Sequence, residues 1–376
     1  MSHLNRAVKD CHKVKEKNNS NTNKENKNKI KGYKDSFYSF FIFTNIYIDS
    51  VVYFLIAFAF YMTILMYNGL EEHNDKLKSF NPTYRFPKSE DLAPSIWIFL
   101  ILMFVHKIFK VLTIDIIQKY LTKNYDHPDE ILIYKNKVAT NFIKFILYLS
   151  STILGFYALK ELNFFPWSMG GNGEFKILFS KGYPDYLFFE KTKLFDFYYN
   201  FNLAFALFDT YILISYPSQS DFLLMILHHM STLNLVIFSF LTNYSNIGCI
   251  VYFIHYSGDI LGMIIRMFIH LEIPPIISCY LTFAFLAIFM YTRLFVFGDV
   301  IYNTFSFIFN FDYNIYSLYL CCFLSIIMIL NLIWIVLISI KVYKFILTGK
   351  VEEIYKIKKI NKLIKLEKYK YITKSL

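Results

Sequence analysis

Two adjacent histidines, His228 and His229, stand inside the otherwise apolar stretch DFLLMILHHMSTLNL at residues 221–235. Neutral imidazole can act as a general base or as a nucleophile near pH 7, and a carboxylate beside it can stabilise imidazolium. A second stretch, FIHYSGDILGMIIR, supplies His255 and Asp259 at a spacing of four residues, which places them on one face of a helix. Together these residues favour a buried site for acyl transfer.

Further polar residues continue the two helix faces. Asp221 and Thr232 lie on the face of the first histidine, and Arg266 continues the second face towards its end. Each has a structural interpretation as well: Asp221 as a helix N-cap, Arg266 as a side chain that reaches the interface, and His255 as a hydrogen-bond partner between helices. The adjacent pair favours function, because side chains about 100° apart cannot both be satisfied by one neighbour.

A metal centre is the competing chemistry, because membrane hydroxylases and desaturases also place histidines near one face of the bilayer. Those sites need about eight histidines in HxxxH and HxxHH spacings. Neither spacing occurs among the histidines in or near the apolar runs. Cys249, Cys279, Cys321 and Cys322 fall within apolar runs without ligand-like spacing. We therefore expect no metal at this site.

Composition separates apolar from basic residues along the chain. Hydrophobic residues make up 56% of the sequence, yet the net charge is +11. Residues 1–36 hold ten Lys or Arg against four Asp or Glu, and residues 341–376 hold eleven against three. The Lys- and Asn-rich start has no aromatic interleaving, so we interpret it as a disordered tail rather than a nucleic-acid-binding segment. The sequence predicts an all-α, multispanning membrane helix bundle.

Eight runs are long enough to cross the hydrocarbon core as helices. They are 42–67, 95–114, 138–159, 197–216, 221–241, 246–268, 276–297 and 315–340. Basic residues at both ends predict that both termini are cytosolic, which an even number of spans allows. His228 then lies about 10 Å, and Asp259 about 14 Å, below the cytosolic surface. The long loop at 160–196 is expected on the other side, with Trp167 and the loop tyrosines at headgroup level.

The predicted organisation has four parts. They are a disordered basic tail (1–36), N-terminal membrane spans (37–134), a catalytic membrane domain (135–340) and a second basic tail (341–376).

The order of polar residues in SDFLLMILHHMSTLNLVIFSFLTNYSNIGCIVYFIHYSGDILGMIIRMF resembles the core motif of the ceramide synthases, the longevity-assurance family within the TLC-domain membrane proteins. The resemblance covers roughly residues 135–305 and includes YTRLFVFGDVIYNT with Arg293. The matching positions are Asp221, Phe222, His228, His229, Thr232, Ser239, Asn243, Gly248, His255, Asp259 and Arg266.

The chain departs from the family pattern at a few positions. Tyr256 stands where the family has the first Asp of His-Asp-x-x-Asp, and Met263 stands near the family's Glu. Gln219 and Ser220 replace the basic residues before Asp221. The departure at Tyr256 matters most, because a phenol carries no charge at pH 7 and cannot stabilise a cation as a carboxylate does.

The resemblance implies a sphingoid-base N-acyltransferase that joins a fatty acyl group from acyl-CoA to sphinganine or a related long-chain base. It implies acyl-CoA as a co-substrate, no cofactor, membrane lipids as surroundings, homo- or hetero-oligomers as a possible state, and a multi-pass location in the endoplasmic reticulum membrane. The implied catalytic residues are His228, His229, His255 and Asp259. The implied substrate-binding residues are Asp221, Thr232, Tyr256, Arg266 and Arg293, with CoA phosphates near Arg266, Lys341 and Lys344.

Two chemical routes and one different function stay open. A histidine can deprotonate the amine that attacks the thioester, or one histidine can first take the acyl group as an acyl-imidazole. The alternative function is a non-enzymatic TLC-domain protein that binds lipid or associates with a translocon, in which the histidines would only hydrogen-bond between helices.

Overall fold

The computed structural model describes residues 54, 57–58, 61, 63–64, 67–121, 128–215, 222–271 and 274–348. The chain forms two units, Met1–Phe58 and Ala59–Leu376. The described residues of the first unit are helical. The first predicted tail, residues 349–376 of the second, most of the predicted span at 42–67, and Asp221 lie outside the described residues.

The described part of the second unit is helical, with short 3₁₀ turns in its loops. After a helical segment at 67–80, the long helices are α1 (Ala93–Leu121), α2 (Pro128–Leu159), α3 (Lys193–Ser215), α4 (Phe222–Leu241), α5 (Ser245–His270), α6 (Pro275–Met290), α7 (Phe297–Phe311) and α8 (Ile315–Thr348). The extended pairing within these ranges is a single isolated bridge between Pro166 and Gly173. The predicted all-α multispanning class is confirmed.

Six helices among the described residues are long and apolar enough to cross a membrane. They are Ser89–Thr113, Lys135–Leu159, Phe222–Leu241, Ser245–Ile269, Ile276–Phe311 and Ile315–Leu347. The predicted span at 197–216 does form a helix, α3, but it is not one of the six. Its buried Asn200, Asn202 and Asp209 lower its hydropathy, and a helix surrounded by protein can carry such residues.

Burial separates a central helix from a peripheral one. In the most apolar window of α5, 61% of the residues are buried within the protein, against 6% in the corresponding window of α1. The most extensive helix–helix contact joins α2 to α5. Because α5 carries the second polar stretch, the protein surrounds that stretch on several sides, whereas α1 presents its apolar side chains outwards.

The segment after Pro275 continues further than the sequence predicted. Its helix begins with Pro275 at the first position, where the missing N–H costs no hydrogen bond. Instead of ending near residue 297, it passes through a π-helical turn, Tyr291–Val296, into α7 and ends at Phe311. An added residue in such a turn widens the helix and is frequent at functional sites. Here the turn carries Arg293.

The loop between α2 and α3 packs on the adjoining end of the bundle through buried aromatic residues. Phe165 and Phe175 are fully buried, while Trp167 is 71% exposed. Tyr186, expected at headgroup level, is instead buried and donates a hydrogen bond to Asp312. A tyrosine can be buried when its hydroxyl finds an acceptor.

Candidate active site

The adjacent histidines of α4 contact different neighbours. The ring centroids of His228 and His229 are 5.6 Å apart. The ring of His228 lies 6.4 Å from the ring of His255 on α5 and 5.1 Å from the ring of Trp334 on α8. His229 faces α3 instead. Because consecutive side chains of a helix point in different directions, the rings of His228 and His229 diverge. Together with His255, they place three imidazole rings, from two helices, around one interior space.

The ring of His255 is fixed in one tautomer by its own helix. Its Nδ1 lies 2.7 Å from the carbonyl oxygen of Val251. A carbonyl oxygen only accepts, so Nδ1 carries the hydrogen and Nε2 carries the lone pair. That Nε2 atom is buried and has no hydrogen-bond partner among the described residues. His255 therefore presents a nitrogen with a free lone pair.

A similar chain of hydrogen bonds fixes His229. The hydroxyl of Thr210 donates to the carbonyl oxygen of Ala206 at 2.7 Å, and its oxygen lies 3.3 Å from Nδ1 of His229. With the hydroxyl hydrogen already used, Nδ1–H donates to the Thr210 oxygen. The Nε2 atom of His229 is then the lone-pair nitrogen, and it too has no hydrogen-bond partner among the described residues.

Asp209 is a functional candidate that the sequence analysis missed. It precedes Thr210 on α3, and its Oδ2 lies 4.0 Å from Nε2 of His229. Lys144 on α2 forms an ion pair with its other oxygen, and the hydroxyl of Tyr148 donates to Oδ2 at 3.3 Å. An acidic residue within an apolar helical run is itself a signal of function or pairing. The spacing within one helix cannot show which neighbour it meets.

Asp259 has a different partner from the one expected of an orienting carboxylate. Arg293 donates through Nη2 to Asp259 Oδ2 and to the carbonyl oxygen of His255, both at 2.8 Å. Among the described residues, no histidine ring nitrogen forms a hydrogen bond or ion pair with Asp259. A guanidinium is the stronger partner, because its bonds to a carboxylate are charge-assisted. The pair thereby holds the backbone at His255.

The other predicted site residues are divided between the interior and the surface. Thr232 lines the interior space, and its buried hydroxyl has no partner among the described residues. Tyr256 lines it as well and packs against Tyr148 and Phe205, at ring-centroid distances of 5.2 Å and 4.9 Å. Arg266 is exposed on the last turns of α5. None of these positions tests the substrate-binding roles expected of Thr232, Tyr256 and Arg266, so those roles stay predictions.

The interior space is a cavity of about 50 Å³ within the bundle. Its polar lining consists of Tyr148, Asp209, His228, His229, Thr232, Ser239, Tyr252, His255, Tyr256 and Asp259. Apolar side chains, including Leu235, Leu320 and Ile327, line the rest. A volume of this size holds a few water molecules or a small reacting group. The described residues contain no group of three or more His, Cys, Asp or Glu in a metal-binding arrangement, and the expectation of a metal-free site stays a prediction.

The residues that line the cavity lie in a part of the chain that matches a known protein family. Residues 137–340, more than half of the chain, match the TLC domain family. Over 137 residues the chain is 31% identical to ceramide synthase 4 of Bos taurus. That similarity covers 36% of this chain and 35% of the bovine protein, so it spans about a third of each.

Proposed function

We propose that this chain, which belongs to the TLC domain family, is a sphingoid-base N-acyltransferase. It transfers a fatty acyl group from acyl-CoA to the amine of sphinganine or a related long-chain base and releases free CoA. The observation that carries the proposal is the pair of free Nε2 lone pairs, on His229 and His255, facing a buried cavity. The similarity to a protein named ceramide synthase supports the choice of substrates.

The free nitrogens suit the chemistry that this reaction needs. An ammonium group cannot attack a thioester, so the amine must first lose a proton to a base whose pKa is near the working pH. A neutral imidazole with an available lone pair accepts that proton. The nitrogen then bonds to the acyl carbon, the bond from that carbon to the sulfur of CoA breaks, and the thiolate takes up the second proton that the nitrogen loses.

The same cavity contains a hydrogen-bond donor that can stabilise the oxygen of the reacting thioester. The carbonyl oxygen of the thioester gains negative charge when the amine adds, and a hydrogen-bond donor aimed at it lowers the barrier. Thr232 has a buried hydroxyl without a partner among the described residues. We assign that hydroxyl as a donor to the developing oxyanion.

The purely structural alternative explains part of the arrangement. His229 does bridge two helices through Thr210, as that alternative requires. It leaves the two Nε2 atoms without a purpose, although each buried and unpaired polar group costs about 1–3 kcal/mol. The proposal accounts for that cost, because these atoms await a substrate proton.

The location follows from the proposed substrates. Acyl chain and long-chain base lie in lipid, while the CoA phosphates stay at the cytosolic surface near Arg266 and Lys341, both exposed. A basic surface suits a phosphate-bearing group. The proposal accordingly includes an endoplasmic reticulum membrane, with both termini cytosolic and the histidines near that face.

The test is lipid analysis of vesicles that contain the purified protein, sphinganine and a series of acyl-CoAs. We expect N-acyl sphinganine from the parent, and a loss on the order of 100-fold or more in His229→Ala and His255→Ala, which remove the two free Nε2 atoms. His106→Ala is the matched control, because His106 is also buried in a helix but bonds to Thr140, and neither lines the cavity. No product from a folded parent, or parent-like rates in both site variants, would reject the proposal.

A further inference from the structure

Asp209 and Thr210, consecutive residues of α3, face the two nitrogens of one imidazole. Thr210 accepts from Nδ1 of His229 at 3.3 Å, and Asp209 Oδ2 lies 4.0 Å from Nε2. Side chains at consecutive helical positions point about 100° apart, so they can lie on either side of a ring inserted between them. The ring of His229 is thus bounded by a hydroxyl on one side and a carboxylate on the other.

The distance between Nε2 of His229 and Oδ2 of Asp209 is the one expected while Nε2 is unprotonated. A lone pair and a carboxylate oxygen are both acceptors, and at 4.0 Å they do not form a hydrogen bond. When Nε2 takes up a proton, the same two atoms become a charged donor and a charged acceptor. Small movements of the side chains then bring them within bonding distance, and the bond is charge-assisted.

We infer that Asp209 is the positioning residue that stabilises His229 after it has accepted the proton of the attacking amine. The inference rests on the proposed function. The proton moves from the substrate ammonium to Nε2 of His229, and the nitrogen lone pair that this frees forms the bond to the acyl carbon. Asp209 keeps its charge throughout and touches no reacting atom of the substrate.

This arrangement raises the rate because it acts selectively. Asp209 makes no hydrogen bond with the neutral ring, but it attracts the imidazolium that develops in the transition state. An interaction that is stronger in the transition state than in the ground state lowers the barrier. The effect is large in a buried site, where water does not screen the charges.

Two residues of α2 fix the charge and the orientation of the Asp209 carboxylate. Lys144 is ion-paired with one oxygen, and Tyr148 donates to the other. Asp209 itself is only 7% exposed, and an isolated buried carboxylate would tend to become neutral. Lys144 keeps it ionised, and Tyr148 directs Oδ2 towards the histidine.

The role of Asp209 also bears on Tyr256, which stands where the family pattern has an Asp. The residue that follows His255 carries no carboxylate in this chain, and Asp259 is bound to Arg293. Asp209 therefore supplies, from a different helix, the negative charge that faces a site histidine.

The test compares three variants with the parent in the vesicle assay. Asp209→Asn keeps the shape but presents an amide that can donate to the neutral ring, so we expect kcat to fall on the order of 100-fold while KM for both substrates stays within about 3-fold. Asp209→Glu keeps the charge on a longer side chain and should recover part of the loss. Thermal unfolding in detergent checks that each variant is folded.

The double variant Lys144→Met with Asp209→Asn separates positioning from structure. It removes both buried charges, so it leaves no unpaired lysine to disturb the fold. A merely structural ion pair predicts that the double variant regains parent activity; our inference predicts that it stays as slow as Asp209→Asn.

An active parent with an active double variant overturns this inference and leaves the proposed function standing. A parent that is folded and silent overturns both.

Discussion

Two buried polar clusters in this bundle differ in how their hydrogen bonds are satisfied. The Asp312 cluster consists of Tyr186, Tyr244, Asp312, Asn314 and Ser317, and the cavity cluster consists of His228, His229, Thr232 and His255. In the first, Tyr186 and Tyr244 donate to one carboxylate oxygen at 2.5 Å and 2.7 Å, and Asn314 donates to the other at 2.5 Å. In the second, buried ring nitrogens and a hydroxyl have no partner among the described residues.

The difference separates a structural network from a chemical one. A satisfied buried network holds helices and loops in one arrangement. Burial raises the pKa of Asp312, and the hydrogen bonds from the two tyrosines and Asn314 oppose that rise. An unsatisfied network costs stability and is kept where another molecule completes it. On this account the Asp312 cluster maintains the fold, and the cavity cluster awaits a substrate.

The largest effect on stability is expected from the ion pair between Arg293 and Asp259. Arg293→Met leaves Asp259 as a partly buried and unpaired charge and removes the donor to the His255 carbonyl oxygen. We expect the free energy of unfolding to fall by about 3–5 kcal/mol. The double variant Arg293→Met with Asp259→Leu should be clearly less damaged, as measured by unfolding in mixed micelles. Equal damage in both would mean that the ion pair is not the reason.

Asp312→Ala should have the next largest effect. It leaves the hydroxyls of Tyr186 and Tyr244 buried without their acceptor, at a cost of about 3 kcal/mol in the free energy of unfolding. Turnover per folded molecule should not change, because Asp312 does not line the cavity. Asp312→Asn should cost less, since it keeps an acceptor oxygen for the tyrosines. Loss of turnover in a folded Asp312→Ala protein would contradict the separation of the two clusters.

His255→Leu should have the opposite effects: little change in stability and a loss of turnover. It removes the buried Nε2, which has no partner among the described residues, and Nδ1, whose bond goes to a carbonyl oxygen of its own helix, and it replaces the ring with an apolar side chain of comparable size. The free energy of unfolding should therefore change by less than about 1 kcal/mol. N-acyl transfer should nevertheless be lost. A folded His255→Leu protein with parent turnover would show that this histidine only packs.

Tyr256→Phe should have the smallest effect. Its ring packs against Tyr148, Phe205 and Tyr252, whereas no hydrogen bond of its hydroxyl is present among the described residues. We expect a change of less than about 0.5 kcal/mol in stability and less than about 3-fold in turnover. A large rise in KM for either substrate would instead assign the hydroxyl to substrate binding.

The sequence predicted the helices of the site better than the contacts between them. Periodicity within a helix placed His255 beside Asp259, and apolar length placed α4 and α5 in the membrane. Asp209 was missed because its meeting with His229 depends on how α3 packs against α4. Likewise, the ion pair between Asp259 and Arg293 joins positions 34 residues apart through a π-helical turn that has no simple sequence signal.

The most direct test of the central claim is the turnover of His229→Asn in vesicles with sphinganine and acyl-CoA. The Asn amide nitrogen takes the place of Nδ1 and can still donate to Thr210, so the link between α3 and α4 is kept. An amide cannot take up the amine proton near pH 7. We predict a folded protein whose N-acyl transfer is reduced on the order of 100-fold or more. Turnover equal to that of the parent would contradict the account, because the histidine would then serve only to join two helices.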